Sequence, residues 1–330
     1  MKSILLLLII TLLGCSSNMK QEPISKSGIP VINLSEDVST VPSLLLSESA
    51  EKLEIVSLEM TDQSMLGEIR RIQVTDHNIW IDHGREFYIY RFSRSGKFLN
   101  KIGSIGQGPG EYTTYSTFLV DEDKKEVYII ANTNGVLAYD FEGNFKRKIV
   151  DIQTILQLFS SVYDQYILNN QKFFATQNFA LYRPIDKDSL WSFVSLGDDF
   201  QKKEYFKNPA HVGKEELIIA NRANMDRMVN YWREYLTSMD TYNGQLTLKY
   251  PDTDTIYCYD DATNQLLPQY AIFTDEEKGD YEATHLWFKD RKSFDYFSIF
   301  SYYPTKDFVY LIGSKGEEVY TYCYNKKDGS

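Results

Sequence analysis

The sequence predicts an all-β fold, a β-propeller of four-stranded antiparallel blades, on three observations. The first is a repeat: Gly96 and Gly143 stand 47 residues apart in matching turns, near the period of one propeller blade. The second is composition, since Tyr, Phe, Val and Ile dominate every repeating segment, as strands prefer. The third is an aromatic–Asx pair that recurs at strand ends, in Tyr139-Asp140, Tyr259-Asp260 and Tyr324-Asn325. Its aromatic suits a core between blades, and its Asx residue opens a turn. Independent hairpins packed as a sandwich are the rival arrangement of the same strands.

The elements follow in chain order. Residues 79–102 read strand, strand, turn, strand, with Asn78-Ile79-Trp80-Ile81 first, Phe87-Tyr88-Ile89-Tyr90-Arg91-Phe92 second and Lys97-Phe98-Leu99-Asn100-Lys101-Ile102 third. Residues 127–149 repeat the pattern around Gly143. Glycine suits such turns because they call for positive φ. Weaker copies follow at Trp191-Ser192-Phe193-Val194-Ser195-Leu196, at Thr255-Ile256-Tyr257-Cys258-Tyr259-Asp260 and at Val319-Tyr320-Thr321-Tyr322-Cys323-Tyr324. Five blade-like units are countable, at 59–104, 115–150, 152–206, 213–274 and 282–330. The last lacks an outer strand, and an N-terminal strand at residues 53–58 is expected to close that blade and hide two sheet edges. Residues 224–239 break the pattern: Met225, Met228, Val229, Trp232, Tyr235, Leu236 and Met239 recur at three and four residues. That spacing predicts an inserted helix on the propeller rim, or a helix that contacts a partner.

The N-terminus sets the expected compartment. Lys2 precedes an apolar run too short for a ~30 Å hydrocarbon core but suited to a secretion signal. Leu12-Leu13-Gly14-Cys15 resembles the bacterial lipobox, which implies acylation of Cys15 and a membrane partner reached through that lipid anchor. The division is then a lipoprotein signal peptide at 1–14, a polar tether at 15–30 and a propeller domain at 31–330. Ser16 fits outer-membrane sorting, and no dense acidic run follows Cys15. The expected place is the cell envelope, lipid-anchored at the outer membrane and facing the periplasm.

Composition removes several classes. Aromatic residues make up 15% of the 330, with 25 Tyr, 19 Phe and 4 Trp, too much apolar area for a disordered chain. The formal charge of −11 argues against a nucleic-acid partner, which needs concentrated positive charge. Cys258 and Cys323 fall at equivalent places in two repeats, so they are expected to be separate buried thiols beyond bridging distance.

Ile102-Gly103-Ser104-Ile105-Gly106-Gln107-Gly108-Pro109-Gly110-Glu111-Tyr112 resembles the signature between blades one and two of the six-bladed β-propeller lipoproteins of Bacteroidetes, a group similar to NHL-repeat propellers. The resemblance implies six blades, against the five countable ones. The same segment is the candidate binding loop, formed by Gly103, Gly106, Gly108, Gly110, Glu111 and Tyr112. Such a loop can aim several N–H groups at an anion, or it can serve as a tight crossover. The Gly-x-Gly-x-x-Gly spacing of a dinucleotide fold is absent. His77, His83, His211 and His285 match no zinc spacing and read as solvated or core residues. The acidic groups Asp121-Glu122-Asp123, Asp260-Asp261 and Asp275-Glu276-Glu277 read as solvated turns. With no motif for catalytic residues, a metal or a cofactor, the expected function is a scaffold that binds an unknown protein or carbohydrate ligand. The alternatives are a hydrolase or lyase acting on a glycan or peptide at the channel mouth, and a structural subunit with a large exposed apolar patch.

Overall fold

Short apolar runs bounded by Gly, Asn and Asp turns leave this chain one economical solution, the antiparallel meander. A computed structural model describes residues 28–34, 52–84, 86–158, 161–177, 191–201, 203–209, 212–213, 216, 238–250, 253–274, 298–315, 318–327 and 329. Blade one is the sheet β2 (Ile69–Val74), β3 (Asn78–His83), β4 (Tyr88–Ser93) and β5 (Phe98–Ile102). Blade two is β6 (Tyr115–Asp121), β7 (Glu126–Ala131), β8 (Gly135–Asp140) and β9 (Phe145–Val150). Blade three is β10 (Ser161–Leu168), β11 (Gln171–Gln177), β12 (Trp191–Leu196) and β13 (Lys203–Lys207). Blade four is β14 (Ser238–Tyr242), β15 (Gln245–Lys249), β16 (Thr255–Asp260) and β17 (Gln265–Phe273), with β1 (Val31–Asn33) added at its edge. Blade five is β18 (Ser298–Pro304), β19 (Phe308–Lys315) and β20 (Glu318–Asn325).

The sheets stack in ring order through their apolar faces. Trp80, Ile89 and Ile102 of blade one meet Phe118, Ile129 and Tyr139 of blade two. Tyr128 and Val136 of blade two meet Phe174 and Trp191 of blade three, and Phe173 and Phe193 meet Leu248 and Tyr257 of blade four. Ile256 and Ile272 of blade four then meet Tyr302, Val309 and Leu311 of blade five. The leading strands β6, β10, β14 and β18 lie successively side by side, so they surround a common axis. A sandwich would instead pair two sheets face to face.

Every blade rises and falls in the same sense, which gives the ring two ends. Chain crossovers from one blade to the next gather at the crossover end, and hairpins such as those at Gly96 and Gly143 gather at the turn end. The countable units of the sequence coincide with the five sheets found among the described residues. Among the described residues a short helix of seven residues, α1 (Ile152–Leu158), lies inside the crossover from blade two to blade three. Ile155 is buried in that seam, an element the strand periodicity did not announce.

Two expectations are corrected. Residues 53–58 do not enter the last blade. They run along the face of blade one that points away from blade two, where Val56 and Leu58 pack on Ile79, Ile81, Tyr90 and Phe92. The N-terminal strand that does join a sheet is β1, and it pairs parallel with β17 of blade four, Ile32 opposite Ile272. Ile32 is the reason, because it fills the seam beside Ile299 and Tyr302. The second correction concerns the thiols. Cys258 and Cys323 are separate and free, but Cys258 is half-buried and Cys323 exposed. In β20 the alternation turns Tyr324 into the seam and its neighbour Cys323 out of it. The expected helix at 224–239 lies outside the described residues as far as 237, and its last two residues belong to β14.

Candidate functional site

Strand β3 opens on Asn78, is apolar through Ile79, Trp80 and Ile81, and closes on Asp82 and His83, which reach the crossover end on opposite faces of blade one. Asp82 faces blade two and His83 faces outward. Opposite them, β2 carries a bulge between Ile69 and Arg71, and Arg70 is the extra residue. A bulge re-aims one side chain, and here it sends the guanidinium to Asp82. Arg70 Nε and Nη2 donate to Asp82 Oδ1 at 3.1 and 2.9 Å. The Tyr115 hydroxyl, from the first residue of β6, donates to the same oxygen at 2.7 Å. The guanidinium also lies 5.1 Å from the Tyr115 ring centre and 5.5 Å from that of Phe87, within cation–π range.

The electrostatics follow from burial. Desolvation alone would lower the Arg70 pKa, but the bonds and charge of Asp82 outweigh it and the net shift is upward. Burial, then the Asp82 charge, raises the Tyr115 phenol far above its ordinary value. In neutral solution the Arg70 guanidinium therefore stays a cation and the Tyr115 phenol a protonated donor. The Arg70 side chain remains 34% exposed. Part of a rigid guanidinium thus faces solvent at the mouth of the ring. Arg71, the next residue, reaches Gln165 O of blade three at 3.4 Å, and Gln165 Nε2 donates to Phe118 O of blade two at 2.9 Å. These bonds tie three leading strands together close to the axis.

The candidate loop at 103–112 sits directly beside this cluster. Its polar groups are used within it: Gly106 N–H donates to Tyr112 O at 3.0 Å, Tyr112 N–H to Ser104 O at 3.0 Å and Glu111 N–H to Gly108 O at 3.0 Å. The Glu111 carboxylate folds back to accept Gly108 N–H at 2.8 Å. Tyr112 is fully buried, with its hydroxyl on Phe87 O at 2.7 Å. Tyr139 donates to Gly110 O and Asn134 to Glu111 O. Gly103 has φ +110°, and a Cβ there would stand 2.0 Å from the Tyr112 hydroxyl. The loop thus positions Tyr115 and seals the seam between blades one and two.

On the outward face of blade one, Tyr90 donates to Glu86 Oε2 at 2.6 Å, and Lys101 Nζ reaches the same oxygen at 3.1 Å. The Tyr90 hydroxyl chiefly, and then Lys101, hold the Glu86 carboxyl below its ordinary value. At the turn end, buried Lys172 lies between blades two and three, with Nζ 2.9 Å from Asp198 Oδ1 and 4.9 Å from the Tyr128 ring centre. Burial lowers the Lys172 pKa against the opposing pull of Asp198. Among the described residues no three His, Cys, Asp or Glu side chains are grouped to hold a metal ion. Nor is any of their helices long and apolar enough to cross a membrane.

Comparison with known proteins adds the family. The sequence pattern described as "Domain of unknown function (DUF4934)" matches residues 29–330. The chain belongs to that family. Among curated proteins nothing matches the sequence. Among solved structures, the DUF4934 chain is similar to a protein of Bacteroides fragilis NCTC 9343 named a "Putative exported protein". The two share 19% identity over 91% of this chain and 78% of that one, with a TM-score of 0.63. A member of the DUF4221 family from Bacteroides vulgatus shares 12% identity over 83% of this chain and 82% of that one, with a TM-score of 0.51. At these identities the likeness concerns the fold. For the DUF4934 chain it agrees with blades arrayed about an axis.

Sequence reasoning named the crossover loop but missed Arg70, Asp82 and Tyr115 beside it. The available signal was Asp82-His83 closing the apolar run of Ile79, Trp80 and Ile81, a polar pair where the alternation calls for core. The bulge that brings in Arg70 leaves no such mark.

Proposed function

We propose that this protein is a scaffold of the cell envelope, anchored to the outer membrane by a lipid on Cys15, that holds a protein or carbohydrate ligand at the crossover end of the ring. The observation that carries the reading is the Arg70 guanidinium. Two of its nitrogens are fixed by Asp82 and its faces lie near Phe87 and Tyr115. Its remaining edge can donate to a ligand oxygen with little ordering cost. Rigid scaffolds that present a few oriented polar groups are suited to recognition. Tyr115, kept protonated by burial, donates and does not serve as a base near neutral pH.

The test is crosslinking of the anchored protein in intact cells, followed by capture and partner identification for the native chain, Arg70→Ala and Cys15→Ala. The expected result is a partner or glycan that is lost with Arg70→Ala, and a Cys15→Ala chain that moves to the soluble fraction. A partner retained by Arg70→Ala, or turnover of a glycan or peptide by the native protein, overturns the binding reading. A Cys15→Ala chain that stays with the membrane overturns the anchor.

A further inference from the structure

We propose that residues 52–67 form a displaceable strap over blade one, released when His83 takes up a proton. The strap climbs the outward face from the turn end to the crossover end. At the turn end Glu59 N–H donates to Gly96 O at 2.8 Å, and the Glu59 carboxylate accepts Phe98 N–H at 2.9 Å. The residue thereby satisfies the outer edge of β5 as a neighbouring strand would. A turn at 61–64 is knit by Ser64, whose hydroxyl donates to Glu59 O at 2.8 Å. Val56, Leu58 and Leu66 then cover Ile79, Ile81, Tyr90 and Phe92. At the crossover end His83 clasps the strap, its Nε2 accepting Gly67 N–H at 2.8 Å.

That bond fixes the protonation state it needs. An Nε2 that accepts carries no proton, so the imidazole proton sits on Nδ1. His83 is 5% exposed, and its Nδ1 is buried with no hydrogen-bond partner. A second proton would turn Nε2 from acceptor to donor, set two N–H groups head to head at Gly67 and bury a charge already short of acceptors. The surroundings give limited relief. Glu86 attracts the ring at a distance but is engaged by Tyr90 and Lys101, and Lys101 repels a cation. The Tyr90 ring stands 5.3 Å away, and Tyr88 and Ile69 lie across the sheet. Arg70 is committed to Asp82 on the other face. Glu68, beside Gly67, accepts Gly84 N–H through its backbone carbonyl. The closed form therefore requires neutral His83. A second proton on His83 thus weakens the clasp at Gly67. Release uncovers the apolar face and the β5 edge.

Hydrogen exchange on the full chain at pH 7.5 and pH 5.0, corrected for intrinsic exchange chemistry, reads this directly. The amides of Glu59, Gly67 and Phe98 are expected to open about tenfold more at pH 5.0, while Ile129 in β7 stays unchanged. His83→Gln, which keeps an acceptor but cannot titrate, is expected to lose the response, and Glu59→Gln to keep it. Imidazole nitrogen shifts of the native chain supply a reading without substitution: His83 protonation and amide opening are expected to share one midpoint. Unchanged amides, a response that survives His83→Gln or vanishes in Glu59→Gln, or two separate midpoints overturn the proposal.

Discussion

The Tyr115 hydroxyl crosses the seam between blades one and two to donate to Asp82 Oδ1 at 2.7 Å. That oxygen also takes two donors from Arg70, so one buried carboxylate joins the first strand of blade two to two strands of blade one. Tyr115→Phe is expected to cost about 1–2 kcal/mol in denaturant unfolding. Asp82→Ala, which leaves Arg70 without its counter-charge, is expected to cost roughly 3 kcal/mol. Equal losses for the two variants would place the energy in the Tyr115–Asp82 hydrogen bond and not in the Arg70–Asp82 ion pair.

The crossover loop makes a graded prediction. Gly103 and Gly110 both have positive φ, and a Cβ at Gly110 would stand 2.4 Å from the Phe145 ring. Gly103→Ala and Gly110→Ala are each expected to cost about 2–3 kcal/mol from backbone strain and displaced aromatics. Gly108 has no such φ, and a Cβ there would meet only the flexible end of Glu111, at 3.0 Å. Gly108→Ala is expected to cost at most about 1 kcal/mol, in the same unfolding measurement.

Glu126 gives a dependence on pH. Burial by itself would raise its pKa, but hydrogen bonds from Arg147 and Lys146 hold it at about 2. A depressed folded value means stability that is present above the ordinary carboxylate range and lost as pH falls towards 2. Because Arg147 and Lys146 are nearly half exposed, the contribution is discounted to about 1–2 kcal/mol. The stability gap between the native chain and Glu126→Gln is expected at pH 7 and should close between pH 5 and pH 2. A constant gap would assign it to packing.

Strand β1 is expected to behave as part of the core despite its three residues. Ile32 is 1% exposed, and Ile32→Ala is expected to cost about 2–4 kcal/mol. A loss below about 0.5 kcal/mol would make β1 an ornament of the rim.

Much of this architecture was legible because its causes are local. Strand alternation and turn glycines mark β3 to β5 and β7 to β9 to within a residue or two at each end, and the Tyr-Asp pair found β16. The destination of the N-terminal segment was not legible. Residues 53–58 and 31–33 are both short, apolar and strand-like, and only the shapes of the receiving seams decide between them. Ile32 fits beside Ile272 and Ile299, whereas Val56 and Leu58 meet a face already rich in Tyr90, Phe92 and Phe98. The candidate loop illustrates a second limit. Glycine spacing marks where backbone must pass closely, but whether the freed N–H groups face a ligand or one another depends on Glu111 and Tyr112 folding inward.

The direction of β1 fixes where the chain enters the ring. It runs parallel to β17, so the chain ahead of Val31 departs along the outer rim of blade four and heads away from Arg70. The entry of the chain thus lies at the tyre of the wheel, on the hub-cap side opposite the arginine.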